Sequence, residues 1–278
     1  IETTGEDLSI ALAKEISEIA ALPIQGHRRG LWRSLNSLKP DRPMLLVDQI
    51  CWNEMNVDDE LTLRCENDLC RQYETDLRRK LYCHRHLSTD LVIEPWVVVP
   101  KLITGYQAGF ADWEGKFDFG IKILQEKRST DLTNEIVSHA YKCQLFDMDD
   151  LEKIKFPRIT YMKDKTLKKL TLVQEVFGDS IDVKLEGCYP GFWFFDAIVH
   201  WCGVEETLMN MIAEPEFLHA LCKRLQEAYL DGLDQLEEQG LLGTSQTHVH
   251  CTGAYSEELE NSDAPIGSAK RLWTFNLS

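Results

Sequence analysis

IDVKLEGCYPGFWFFDAIVHWCG, residues 181–203, sets a short run of branched and apolar residues directly before an apolar, aromatic-rich segment. Ile181 to Tyr189 reads as a strand, and the stretch from Gly191 to Gly203 as a buried helix. Downstream, Glu214-Pro215-Glu216 opens the helix FLHALCKRLQEAYLDGLDQLEEQG, which ends at Gly240, and GTSQTHVHC follows as another strand. Upstream, MLLVDQI after Asp41-Arg42-Pro43 has the unbroken apolar character of a buried strand. LVIEPWVVVP, residues 91–100, is a second such run, with Pro95 and Pro100 limiting its pairing. Helical spacing marks GEDLSIALAKEISEIAAL (5–22), a basic helix after Pro23 through Trp32 and Leu35, and Glu66 to Leu87 with Leu69, Tyr73, Leu77 and Leu81 on one face. Asp147 to Ile154 and Lys163 to Phe177 read as helices too, and residues 106–119 as an irregular aromatic loop. The repeated strand-then-helix order predicts a parallel α/β architecture. Its strands are expected at Met44–Asp48, Leu91–Val99, Asp182–Glu186 and Gln246–His250.

Composition bounds the function. The 278 residues, 44% hydrophobic and 27% charged, are enough to bury a sizeable core, and no linker divides them. Thirty Lys and Arg against 46 Asp and Glu leave a formal charge of −16, which repels nucleic acid. An anionic substrate therefore needs a local cationic cluster, the nearest being His27-Arg28-Arg29-Gly30-Leu31-Trp32-Arg33. The nine cysteines show no secreted-type framework and no leader opens the chain, so free thiols and a cytoplasmic location are expected. No run reaches the roughly 18 to 20 apolar residues of a membrane span.

In parallel α/β folds chemistry gathers where strands end and loops lead into helices. Four clusters stand there: Asp48 to Glu54 with Trp52, Glu94-Pro95-Trp96, Glu186-Gly187-Cys188-Tyr189, and His248-Val249-His250-Cys251. The last has the soft donors of a zinc site. Along a strand His248 and His250 project to one side and Cys251 to the other, unless a turn at Thr252-Gly253 swings Cys251 round. His250 with Cys251 is the leading pair, with His248 as a further ligand. The same residues also read as a strand end with one hydrogen-bonded histidine and a buried thiol. Cys65 and Cys70, five apart on the expected helix, do not chelate together.

From Tyr189-Pro190-Gly191-Phe192 through the Pro215-Glu216-Phe217-Leu218-His219 helix start to Gly240, the chain resembles the uroporphyrinogen decarboxylase-like superfamily. The 90–100 segment, with Glu94 close to Val98-Val99-Pro100, is similar to that family's second strand, and the resemblance runs from about Pro43 onward. It implies one (β/α)8 TIM-type barrel over residues 1–278, with N-terminal helices over 1–40. The chain stops at Leu272 to Ser278, short of the family's last strands, so an incomplete barrel is expected.

That family holds two chemistries. Metal-free decarboxylases grip an octa-carboxylate tetrapyrrole with arginines after the first strand, where this chain has none but carries Asp48 and Glu54. Relatives that act on methyl-corrinoid proteins use zinc. The resemblance thus implies a zinc-dependent methyltransferase working with a corrinoid protein, with a uroporphyrinogen decarboxylase of porphyrin biosynthesis as the alternative. The site expected is Glu94, Glu186 and Asp48 as catalytic groups, Trp52, Trp96, Tyr189 and Phe192 around a small-molecule substrate, and His248, His250 and Cys251 toward zinc. The third zinc ligand of the family would come from a later strand. A homodimer without nucleic-acid or membrane partners completes the expectation. A reading from another class is a non-catalytic module whose exposed sheet edges pair with a second chain.

Overall fold

Pro95 has no amide hydrogen to give a ladder, and the strand expected over 91–99 begins only after it. The computed structural model describes residues 5–105, 117–128, 138–249 and 252–273. There β1 (Trp96–Pro100) runs parallel to β2 (Asp182–Glu186), Trp96 opposite Asp182 and Pro100 opposite Glu186. The residues group into two compact units, one of 1–101, 163–187 and 244–265, the other of 102–162, 188–243 and 266–278.

In the first unit, the β1–β2 pair is covered on one face by helices. Side chains alternate along a strand, so Val97 and Val99 fall on the same face. They are buried with Ala13 and Ile16 of α1 (Gly5–Ala20), Leu77 and Leu81 of α3 (Asp68–His86), and Val173 and Phe177 of α4 (Lys163–Phe177). Each large apolar side chain so buried contributes roughly 1.5–3 kcal/mol, which is why α1 and α3 follow their apolar stripes closely. The other face of the pair carries Trp96, Val98 and Lys184, and the Lys184 ammonium lies 3.2 Å from the centroid of the Trp96 ring. Between the first two of these helices runs α2 (Pro23–Asn36), opened by proline where no amide is needed. Asn67 caps α3 by accepting from the amides of Leu69 and Cys70. Because α3 starts only at Asp68, Cys65 lies before the helix, and it is disulfide-bonded to Cys70. This corrects the expectation of two thiols held apart on one helix. The described free cysteines are Cys51, Cys83, Cys143, Cys188, Cys202 and Cys222.

Two further strand expectations change. Met44–Asp48 forms no ladder among the described residues: Leu45 accepts from the Asp90 amide, while Leu45 and Val47 stand 55% and 41% exposed. In place of the parallel strand expected over Gln246–His250, β3 (His248–Val249) pairs antiparallel with β4 (Thr252–Gly253).

The second unit is built on α5 (Phe194–Cys202), α6 (Val204–Ala213) and α7 (Pro215–Glu238), around a core that includes Leu145, Trp201, Leu221 and Leu225. Gly203, at φ 78°, stops α5 and starts α6 in one step, a backbone conformation that favours glycine. The helix expected at 147–154 is a short 3-10 turn, Asp149–Lys153. Short antiparallel pairs, such as Gln125–Lys127 with His139–Tyr141, complete the unit. Most of the aromatic loop expected over 106–119 lies outside the described residues.

The expected (β/α)8 barrel is therefore overturned. Among the described residues every sheet has two strands, whereas a closed barrel gives each strand two neighbours. Proline at both ends of the 95–100 run, an exposed 44–48 segment and a hairpin in place of the last strand leave β1–β2 without further neighbours among the described residues. No helix among the described residues is long and apolar enough to cross a membrane.

Candidate functional site

One stripe of α2 explains how a segment that joins no sheet is held. Positions 25, 28, 29, 32 and 36 share a helix face, and here they are polar or amphipathic. Gln25 Oε1 accepts from the Ile93 amide at 2.9 Å, and Arg28 Nη1 donates to the Leu91 carbonyl at 2.9 Å. Trp32 Nε1 donates to the Asp90 carbonyl at 2.9 Å, and Asn36 Nδ2 to the carbonyls of Gly253 and Tyr255 at 2.9 and 2.7 Å. Backbone groups removed from water need such partners, and α2 supplies them to both 90–94 and 253–255.

Arg29 extends the stripe to a side chain. Its Nε and Nη2 donate to Glu94 Oε1 and Oε2 at 3.1 and 2.9 Å, and the Tyr255 hydroxyl donates to Glu94 Oε1 at 2.6 Å. The Glu94 hydrogen bond holds the Arg29 guanidinium charged above its already high value. Burial, then the hydrogen bond and charge of Glu94, push the Tyr255 phenol far above its ordinary range, so it keeps its proton.

Glu94 and Tyr255 of this triad wall a cavity of about 230 Å³ whose lining also includes Trp32, Lys80, Trp96 and His248. Trp96 and Val98 reach it from the β1 face opposite the core. Lys80 of α3 is half-buried and makes no hydrogen bond or ion pair with a described residue. Burial lowers its pKa, against the opposing pull of Asp76 and Glu94. At the rim, His248 Nε2 lies 3.5 Å from Asp48 Oδ2.

No family model, curated protein or solved structure matches this chain. The site is therefore read from its own residues.

The residues singled out by sequence fall in several places. Glu94, Trp96 and His248 share the cavity, and Asp48 pairs with His248 beside it. Trp52 stands apart, edge-on to Tyr82 at 5.8 Å and under the Arg79 guanidinium at 5.0 Å. Glu186, 4% exposed, ends β2 and accepts from the Thr244 amide and hydroxyl at 2.8 and 3.1 Å, a bonding role inside the first unit. Tyr189 and Phe192 belong to the second unit, Tyr189 against Gly243 and Phe192 against the Tyr229 ring at 5.0 Å. His250 and Cys251 lie outside the described residues.

The expected zinc set is thus represented by His248, with Asp48 as an oxygen donor beside it. A catalytic zinc takes three protein ligands, and among the described residues no group of three His, Cys, Asp or Glu is arranged to hold a metal ion.

Lys80 and Tyr255 were not among the sequence candidates, and Arg29 was named there as part of the basic 27–33 cluster and not as a partner of Glu94. Lys80 stood in plain view, a cation seven residues after Tyr73 inside the apolar stripe of α3. The polar stripe on α2 was the signal for Arg29. Nothing local in the sequence marks Tyr255, whose partners Glu94 and Asn36 lie far away along the chain.

Proposed function

We propose that the chain is an enzyme that decarboxylates a small carboxylic acid held in the cavity of the first unit. The observation that carries this reading is the convergence of Lys80, His248, Tyr255 and the Arg29-bound Glu94 on one aromatic-lined cavity of about 230 Å³. Loss of carbon dioxide needs a group that draws off the electron pair left on carbon, and Lys80 lines the cavity without a hydrogen bond or ion pair to a described residue. It needs low-dielectric surroundings, which Trp32 and Trp96 supply. It also needs a proton for the carbon left behind. His248, whose Nε2 lies 3.5 Å from Asp48 Oδ2, is the imidazole placed to act as general acid in that transfer.

Glu94 serves here to position its neighbours, since Arg29 and Tyr255 already engage its carboxylate. Cavities that take drug-sized ligands span roughly 300–1,000 Å³, so this one selects a smaller substrate.

The test is carbon dioxide release from a panel of small oxo acids and aromatic acids. Wild-type protein should turn over at least one, and His248→Asn should slow it by roughly a hundredfold, the lower range for loss of a general acid. Val98→Trp, which fills the cavity from its exposed edge, should abolish turnover with the fold intact by circular dichroism. No turnover by the wild type, or a rate indifferent to both substitutions, would overturn the reading.

A further inference from the structure

We infer that Lys80 is an imine-forming lysine, and that the substrate class of this site is small 3-oxo acids. The inference rests on the decarboxylase reading and deepens it. Three observations carry it. Lys80 lines the cavity from α3, half-buried, with no hydrogen bond or ion pair to a described residue. The carboxylate of the cavity lining, Glu94, is engaged by Arg29 and Tyr255, and the charges of Asp76 and Glu94, which favour the ammonium, are outweighed by burial. The walls are aromatic, and an apolar surrounding favours the uncharged amine that attacks a carbonyl. Burial lowers the pKa of Lys80 in that same direction.

The chemistry closes on these groups. The free Nζ attacks the ketone carbon, a C–N bond forms, and the carbonyl oxygen takes up a proton. Loss of that hydroxyl as water, with a second proton from an acid, leaves a protonated imine. The bond to the carboxylate then breaks. Carbon dioxide leaves, and the electron pair moves through the new C=C bond onto nitrogen, giving a neutral enamine. His248 returns a proton to carbon, restoring the protonated imine. Water hydrolyses it to the ketone and free Lys80. The cycle is redox-neutral and consumes no other reactant.

Acetoacetate with sodium cyanoborohydride is the probe, because hydride reduction of the imine leaves a stable secondary amine that peptide mass spectrometry locates. At pH 7 the adduct should form on Lys80 in preference to exposed Lys39 and Lys168 by about an order of magnitude. The preference should shrink as pH approaches the ordinary lysine range, where surface amines lose their protons as well. Lys80→Arg, which retains the charge, should remove the fast adduct and acetone release together. Labelling spread evenly over the lysines, or absent from Lys80, overturns the inference. If carbon dioxide release persists in Lys80→Arg while His248→Asn still slows it, the imine is wrong and the decarboxylase reading stands. If acetoacetate gives neither adduct nor carbon dioxide while another acid of the panel is turned over, the 3-oxo acid assignment falls alone.

Discussion

Arg29 and Glu94 meet in a two-pronged salt bridge, Nε to Oε1 at 3.1 Å and Nη2 to Oε2 at 2.9 Å, joining the middle of α2 to the residue just before Pro95. The Glu94 side chain is 10% exposed and that of Arg29 25%, so water weakens the pair only in part. Tyr255 closes the arrangement from a segment more than 160 residues away, as its 161-residue separation from Glu94 records. Glu94→Gln should cost roughly 1–3 kcal/mol in urea denaturation, because Arg29 then faces a neutral amide. Tyr255→Phe, which removes one donor, should cost about 1 kcal/mol. The two losses should fall short of additive in the double variant, since both act on one carboxylate. Strict additivity would show that the triad is not coupled.

Gly253 tests how tightly α2 seats on the hairpin. A Cβ added there would stand 2.8 Å from Trp32 Cδ2, closer than carbon atoms pack. Trp32 is 3% exposed and its indole nitrogen is committed to the Asp90 carbonyl, so the ring has little freedom to withdraw. Gly253→Ala should therefore lower stability by roughly 1–3 kcal/mol. Adding Trp32→Leu, which clears the space, should recover part of that loss. A Gly253→Ala protein as stable as the parent would mean that the hairpin does not pack on Trp32.

Asp90 gives the pH dependence. Hydrogen bonds from Arg42, with a further one from the Leu45 amide, hold its carboxyl below the ordinary aspartate range. A carboxyl with a depressed folded pKa stabilises the protein fully above the unfolded value. That contribution is lost as pH falls through about 4 and on toward the lower folded value. The side chain of Arg42 is 47% exposed, so solvent screening weakens the effect. Asp90→Asn should flatten the stability profile between pH 5 and 2, measured by chemical denaturation. An unchanged acid limb would mean that the Arg42 bridge does not persist in solution.

The legible parts of this fold were those fixed by local periodicity or by proline. The stripe Leu69, Tyr73, Leu77, Leu81 announces α3 because all four positions fall on one helical face, and the helix runs from Asp68 to His86. Pro95 was read as limiting pairing, and β1 begins at Trp96. What misled was the equation of an apolar run with a sheet strand. MLLVDQI has the composition of a buried strand, but a strand exists only where a neighbour offers a ladder, and Leu45 meets Asp90 instead. Likewise Thr252-Gly253 was weighed as a turn that would aim Cys251, whereas those residues are the return strand of a hairpin. The site was half legible for the same reason. Glu94, Trp96 and His248 were found by looking at strand ends, yet they meet through the outward face of β1 and the hairpin. Arg29 was read as part of the basic 27–33 cluster that an anionic substrate would need. Its partner is set by which face of α2 turns inward, and that depends on contacts 65 residues away.

The last prediction separates this site from a tetrapyrrole site. Uroporphyrinogen carries eight carboxylates, and a protein that grips it must offer several free cations. Around this cavity Arg28 is spent on the Leu91 carbonyl, Arg29 on Glu94 and Arg42 on Asp90, Lys184 lies over the Trp96 ring, and among the described residues Lys80 is the cation of the cavity lining. The volume of about 230 Å³ lies below the roughly 300–1,000 Å³ that holds drug-sized ligands, and a tetrapyrrole is larger than most of those. The net charge of −16 adds a repulsion felt before contact. Purified protein should therefore leave uroporphyrinogen unconsumed, as followed by chromatography of the oxidised porphyrins. A small monocarboxylate should quench the tryptophan fluorescence through Trp32 and Trp96, with affinity that falls in Lys80→Met. Formation of coproporphyrinogen would show that the cavity opens far beyond the volume seen here, and the assignment of a small substrate would fail.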